Sequence, residues 1–128
     1  MQVRRLDHVN IQTTQVEAMV AWYGDILGLR TGPRPDFRFP GAWLYAGEDA
    51  IIHLVGHGGD PAVGSEVNLK LEHFALTATG RAGFEEKLSK GAVPHQRFVL
   101  DEIGLVQFHL RDPDGNHVHI DFPSQDGE

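Results

Sequence analysis

Residues 111–122 read Arg111-Asp112-Pro113-Asp114-Gly115-Asn116-His117-Val118-His119-Ile120-Asp121-Phe122, a tight turn running straight into a strand. Proline presets φ at the second position of Asp112–Gly115, and glycine supplies the left-handed residue that closes a hairpin turn. Beyond the turn the residues alternate. Val118, Ile120 and Phe122 share one face, and His117, His119 and Asp121 share the other. Two imidazoles aimed at one place suggest a site, and the rest of the chain either supplies partners for it or does not.

The 128 residues suit one domain, and a hydrophobic fraction of 41% is enough for a packed core. A net charge of −7 with no long basic run argues against nucleic acid as a partner. No apolar run approaches the roughly 20 residues that span a bilayer, so no membrane partner is expected. Met1–Arg5 leads into a strand rather than a signal-peptide core, and there is no cysteine for disulfides or thiolate ligands, which fits the cytoplasm. Any metal site must therefore draw on the eight histidines and the acids.

Residues 4–12 alternate as a strand, with Leu6, Val9 and Ile11 apolar and His8, Asn10 and Gln12 together on one face. Thr14-Gln15-Val16-Glu17 has the form of a capping box. It opens a helix carrying Val16, Met19, Val20, Tyr23, Ile26 and Leu27, which Gly28 closes. Residues 31–41 read as loop, then 42–46 and 50–55 as strands about a short turn. Residues 56–66 are the most linker-like segment. The second half repeats this order. Leu71-Glu72-His73 echoes Leu6-Asp7-His8, Thr79 is placed to cap a shorter helix ended by Gly91, and strands follow at about 95–100 and 104–111. Module one spans about 1–58 and module two about 67–128 of a single 1–128 domain.

The repeat is the most informative feature. His8 and His73 lie 65 residues apart, and His53 and His119 lie 66 apart. A lone histidine on a strand is usually a packed or surface residue. Duplicated modules, however, commonly pack about a pseudo-twofold axis, which brings equivalent positions together. Four imidazoles at two pairs of equivalent positions are then expected to converge on a divalent metal, for which neutral imidazole is a good ligand.

The two Leu-acid-His strands, the helix ending Leu27-Gly28-Leu29, Ile52-His53-Leu54 and Asp112-Pro113-Asp114-Gly115-Asn116 with its trailing histidine together resemble the vicinal oxygen chelate superfamily of glyoxalases, bleomycin-binding proteins and extradiol dioxygenases. The resemblance covers nearly the whole chain. It implies an α+β fold of paired βαβββ modules forming a cupped mixed sheet around a central cleft, often in a homodimer. It also implies a divalent metal (zinc, nickel, cobalt, iron or manganese) held at the positions of His8, His53, His73 and His119, and a small-molecule substrate. The expected activity is that of a glyoxalase-like lyase or isomerase that binds a substrate through adjacent oxygens and stabilises an enolate-like intermediate. The family commonly has glutamate where His119 stands. An all-imidazole set keeps the metal's full charge but removes the obvious base.

His109, sharing a face with Gln107, is the candidate replacement acid/base. Asn10 and Gln107 are candidate substrate-binding residues, as are Phe39, Trp43 and Tyr45 as an aromatic wall and Arg38 as an anion anchor. Asp121 is placed to orient a ligating imidazole. His117 reads as a rim residue, since Ile51 stands at its equivalent, and His57 and His95 receive no role. A ring-cleaving dioxygenase is the weaker alternative, because that chemistry uses two histidines and a carboxylate. Non-catalytic binding of a small molecule or metal is the third reading.

Overall fold

A strand buried on one face alone must alternate apolar and polar residues, and the alternating segment after the Asp112–Gly115 turn becomes an interior strand of its sheet. The computed structural model describes residues 1–58 and 71–126. The chain divides into two compact units, Met1–Val63 and Gly64–Glu128.

The first unit contains β1 (Val9–Thr13), α1 (Val16–Leu27), β2 (Arg30–Gly32), β3 (Gly41–Ala46) and β4 (Asp49–Gly56). Its sheet order is β1-β4-β3-β2, with β1 parallel to β4 and the other pairs antiparallel. The second unit contains β5 (Phe74–Thr77), α2 (Arg81–Lys90), β6 (Gln96–Leu100), β7 (Leu105–Arg111) and β8 (His117–Pro123). Its order, β5-β8-β7-β6, repeats the same parallel and antiparallel pairings. Each unit is thus a βαβββ module with an open, mixed, four-stranded sheet, as the repeat predicts. The expected linker at 56–66 lies largely outside the described residues.

In the first unit Met19 and Tyr23 of α1 are buried together with Leu44 of β3 and Ile52 and Leu54 of β4. In the second, Leu88 of α2 is buried along with Val106, Phe108 and Leu110 of β7 and Val118, Ile120 and Phe122 of β8. Phe84 packs edge-on against Phe108. Burying one face of β4 and β8 sends His53, and His117 with His119, to the opposite face. No helix among the described residues is long and apolar enough to cross a membrane.

Four local expectations are corrected. Thr31 and Gly32, read as the start of the 31–41 loop, instead lie with Arg30 in a strand paired with β3. The capping box does not form: Gln15 is the α1 N-cap, and its N–H donates to the Thr13 hydroxyl at 3.0 Å instead. Thr79 does not cap α2, whose N-cap is Gly80. The strand read over 4–12 begins only at Val9, so His8 lies just before it. Gly28 and Gly91 are the C-caps of the two helices as expected, Gly28 left-handed at φ 71° and Gly91 right-handed.

The expected turn before β8 is present and is built on a buried acid. Asp112 is 4% exposed. Its Oδ1 accepts the N–H groups of Asp114 and Asn116 at 3.0 and 2.9 Å, and its Oδ2 accepts the Asn116 side-chain amide at 2.8 Å. Gly115 N–H closes the turn on the Asp112 carbonyl at 2.9 Å, with φ of 85°. This cage sets where β8 begins, and so which residues face the site. Asp112→Ala strips three donors of their acceptor and is expected to lower unfolding stability by about 2–4 kcal/mol, with Asp112→Asn losing less. Urea denaturation checks this, and an unchanged midpoint in Asp112→Ala would remove the organising role.

Candidate metal centre

The face opposite each core carries a row of rings. In the first unit His53 sits in register between Asn10 on β1 and Trp43 on β3. His8, just before β1, stacks on His53 with centroids 3.8 Å apart, and His53 stacks on Trp43 at 3.9 Å. In the second unit His119 sits between Ala75 on β5 and His109 on β7. His73, just before β5, stacks on His119 at 3.9 Å, and His119 stacks on His109 at 3.6 Å. Each pair of expected ligands, His8 with His53 and His73 with His119, is therefore in contact within its own unit. Trp43 and His109 occupy equivalent places at the end of each stack.

The acid preceding each first histidine holds that ring. His8 Nδ1 donates to Asp7 Oδ2 at 2.7 Å. Glu72 does more. It accepts from His73 Nδ1 through Oε2, and from His117 Nδ1 through Oε1 at 3.1 Å. A carboxylate accepting at Nδ1 assigns the proton there and leaves the lone pair at Nε2, the arrangement usual for a ligating histidine. His53 is held the other way. Its Nε2 donates to the Ala50 carbonyl at 3.1 Å, leaving Nδ1 as its available donor atom.

The electrostatics favour neutral rings. Burial, with the neighbouring His109, His73 and His117, pushes the His119 imidazolium down to about 4. Burial and His8 lower His53, and burial with His117 and His73 lowers His109. The hydrogen bond from His8 holds the Asp7 carboxyl below its usual range, and that from His73 does the same for Glu72. Neutral imidazole at His53, His109 and His119, with ionised Asp7 and Glu72 nearby, suits a divalent cation. His73, His117 and His119 each offer a nitrogen, and these atoms lie within 4.8 Å of one another. The signal for His117 was its shared face with His119. The repeat hides it, because Ile51 stands at the equivalent position.

The other expected residues are placed as follows. His109 Nε2 donates to Gln107 Oε1 at 3.2 Å, leaving the His109 lone pair at Nδ1. Phe39 stacks on Phe37 rather than on a histidine, and Arg34, not Arg38, lies over both phenyl rings at 5.5 and 5.1 Å. The Tyr45 hydroxyl donates to the Pro33 carbonyl, so it anchors the loop before β3. Asn10 and Arg38 are exposed. Asp121 Oδ1 is buried with no hydrogen-bond partner among the described residues, beside Gln107 in the β7–β8 register.

Unfolded histidine takes its proton near pH 6.5, whereas folded His119 takes it only near 4. Between these values the unfolded chain binds more protons, so stability falls as pH falls through that window and is fully present above it. Chemical denaturation in chelator at a series of pH values is expected to show this slope, reduced in His119→Gln. An equal slope in the variant would mean that other groups carry it.

The model of the glyoxalase/bleomycin resistance protein/dioxygenase superfamily matches residues 5–120. No curated protein sequence matches the chain. Among solved structures, a protein from Bacillus anthracis described as of the glyoxalase family is similar with a TM-score of 0.75 at 20% identity, over 96% of this chain and 98% of that one. A glyoxalase/dioxygenase from Nostoc punctiforme gives a TM-score of 0.73 at 16% identity, over 94% and 91%. A lactoylglutathione lyase from Agrobacterium tumefaciens gives 0.65 at 16%, over 94% and 95%. At these identities the likeness is one of fold.

Proposed function

The chain belongs to the glyoxalase/bleomycin resistance protein/dioxygenase superfamily, and from that premise we propose that it is a metal-dependent lyase or isomerase of the glyoxalase type. Its substrate is a small molecule presenting two adjacent oxygens, and it works as a cytoplasmic homodimer, each chain a single domain of two repeats. The observation that carries the reading is the repeated His-on-His stack, His8 with His53 and His73 with His119, each first ring tethered by the preceding acid. These four histidines are the proposed ligands of a divalent zinc, nickel, cobalt, iron or manganese ion.

When bound, the ion supplies Lewis acidity for negative charge developing on substrate oxygen. The residues do the rest. His109 is the proposed base. Burial keeps it neutral, and its Nε2–H on Gln107 leaves Nδ1 to take a proton from the carbon beside the carbonyl. Trp43 gives a flat apolar wall against His53, and Phe39 extends it with Phe37. Tyr45 completes the proposed aromatic wall, and Asn10, Gln107 and Arg38 are the proposed polar contacts to substrate. Sequestration of a ligand without turnover is the second reading, favoured by the absence of a carboxylate from the four ligand positions.

Elemental analysis of untagged protein is expected to find nickel, cobalt or zinc in stoichiometric amount. His53→Ala and His119→Ala are each expected to weaken its retention at least about tenfold. Unchanged metal content in either variant removes that residue from the ligand set. Iron accompanied by oxygen uptake would instead indicate a ring-cleaving dioxygenase. With metal bound, His109→Gln is expected to abolish exchange of the substrate's carbon-bound proton with solvent deuterium while leaving metal content unchanged.

A further inference from the structure

On its site face the second unit carries two imidazoles that the repeat does not account for, His109 where the first unit has Trp43 and His117 where it has Ile51. His117 lies on the same face of β8 as His119, and their Nε2 atoms are 3.1 Å apart. Its ring is tilted, not stacked, against all three rings of the row: 59° to His73, 66° to His119 and 59° to His109. A tilted ring can point a nitrogen at its neighbour's edge, and His117 brings its Nε2 to the Nε2 of His119 in this way; among the described residues of the first unit no ring is tilted against His53 in the same manner.

Glu72 fixes the chemistry of that atom. With its Oε1 accepting from His117 Nδ1 and its Oε2 from His73 Nδ1, one carboxylate orients two rings and leaves Nε2 of both as lone-pair donors. The two contacts come from different distances along the chain, one adjacent and one 45 residues away, so the pairing is a property of the folded unit. Resting on the metal-dependent reading above, we propose that His117 is itself a metal ligand, and that His73, His117 and His119 form a three-imidazole site for a divalent cation within the second unit, positioned by Glu72.

Two ligands on one zinc ion, each about 2.0–2.1 Å from it, lie roughly 2.8–3.4 Å apart at angles between octahedral and tetrahedral. The His117–His119 separation of 3.1 Å is within that range. Without a cation, only one of the two nitrogens carries a proton toward the other. With one, both lone pairs are used. Three nitrogen ligands leave a position open, as substrate-binding sites do and closed structural sites do not. Among its described residues the first unit has no such set: Ile51 stands in place of His117, Asp7 tethers a single ring, and His53 spends Nε2 on a backbone carbonyl. The cation is thus held mainly by one half of a duplicated chain.

The test is zinc affinity of the chelator-stripped full chain, measured by competition with a chromophoric chelator, with far-UV circular dichroism as the folding control. His117→Ala is expected to weaken zinc binding at least about tenfold, and Glu72→Gln by about 10–100-fold. Wild-type affinity in His117→Ala overturns the inference. If His53→Ala meanwhile loses zinc, the four-histidine reading stands without it. Loss in His117→Ala with retention in His53→Ala supports the inference and takes His53 out of the ligand set. Loss in both supports both. A wild-type chain that binds no zinc, nickel or cobalt overturns both. Should His117→Ala fail to fold, Glu72→Gln decides. Glu72 is 63% exposed in its side chain and its glutamine is isosteric, so wild-type affinity there overturns the proposal.

Discussion

Two interior strands, each buried on one face only, are the constraint on which the rest depends. β4 turns Ile52 and Leu54 into the core, and β8 turns Val118, Ile120 and Phe122. Because successive side chains on a strand leave on opposite sides, His53, His117 and His119 have no choice of face. A register slip of one residue in β8 would expose Phe122 and Ile120 and bury the histidines. The apolar burial at stake is several kcal/mol at about 1.5–3 kcal/mol per large side chain. Asp112 holds the register at its origin by satisfying three donors in the turn that starts β8. Core packing and site geometry are therefore one constraint seen from two sides of a sheet.

The site face resolves a conflict that imidazole clusters usually pose. Protonated rings stacked at 3.6–3.9 Å would repel one another. Burial and mutual proximity instead suppress protonation, most strongly at His119. Asp7 and Glu72 stay ionised at the exposed rim, where they can hold the proton on the outer nitrogen of the ring beside them. The outcome is neutral rings at His53, His109 and His119 and assigned lone pairs on the rings that Asp7 and Glu72 tether, which suits a cation as a cluster of charged rings does not.

The two repeats share one frame and differ in chemistry at its edges. The third ring of each row is Trp43 in one unit and His109 in the other. The same position thus gives an apolar wall in the first half and a titratable group in the second. The second unit also adds His117 and a carboxylate that grips two rings. The repeat gives both halves one frame, and the differences at positions 43/109 and 51/117 give them different side-chain chemistry on it.

Much of this was legible in the sequence because it is local or periodic. Alternation located β8 and the β1 part of residues 4–12, and the offsets of 65 and 66 residues identified the four equivalent histidines. The Asp-Pro-Asp-Gly turn was readable from the φ preferences of its own residues. Short or context-dependent features were not. β2 is three residues long beside a proline-rich loop, and it exists only because β3 offers it a partner. The cap residues of both helices shifted because backbone groups found other acceptors. The ring stacks were invisible because they depend on cross-strand register rather than spacing. The role of Glu72 was invisible because its second contact spans 45 residues and has no counterpart in the other repeat. The sequence determined which residues share a face, since that follows from a period of two. Only the tertiary structure decided which of them touch, since that follows from which strands pair and where each ring finds its hydrogen-bond partner.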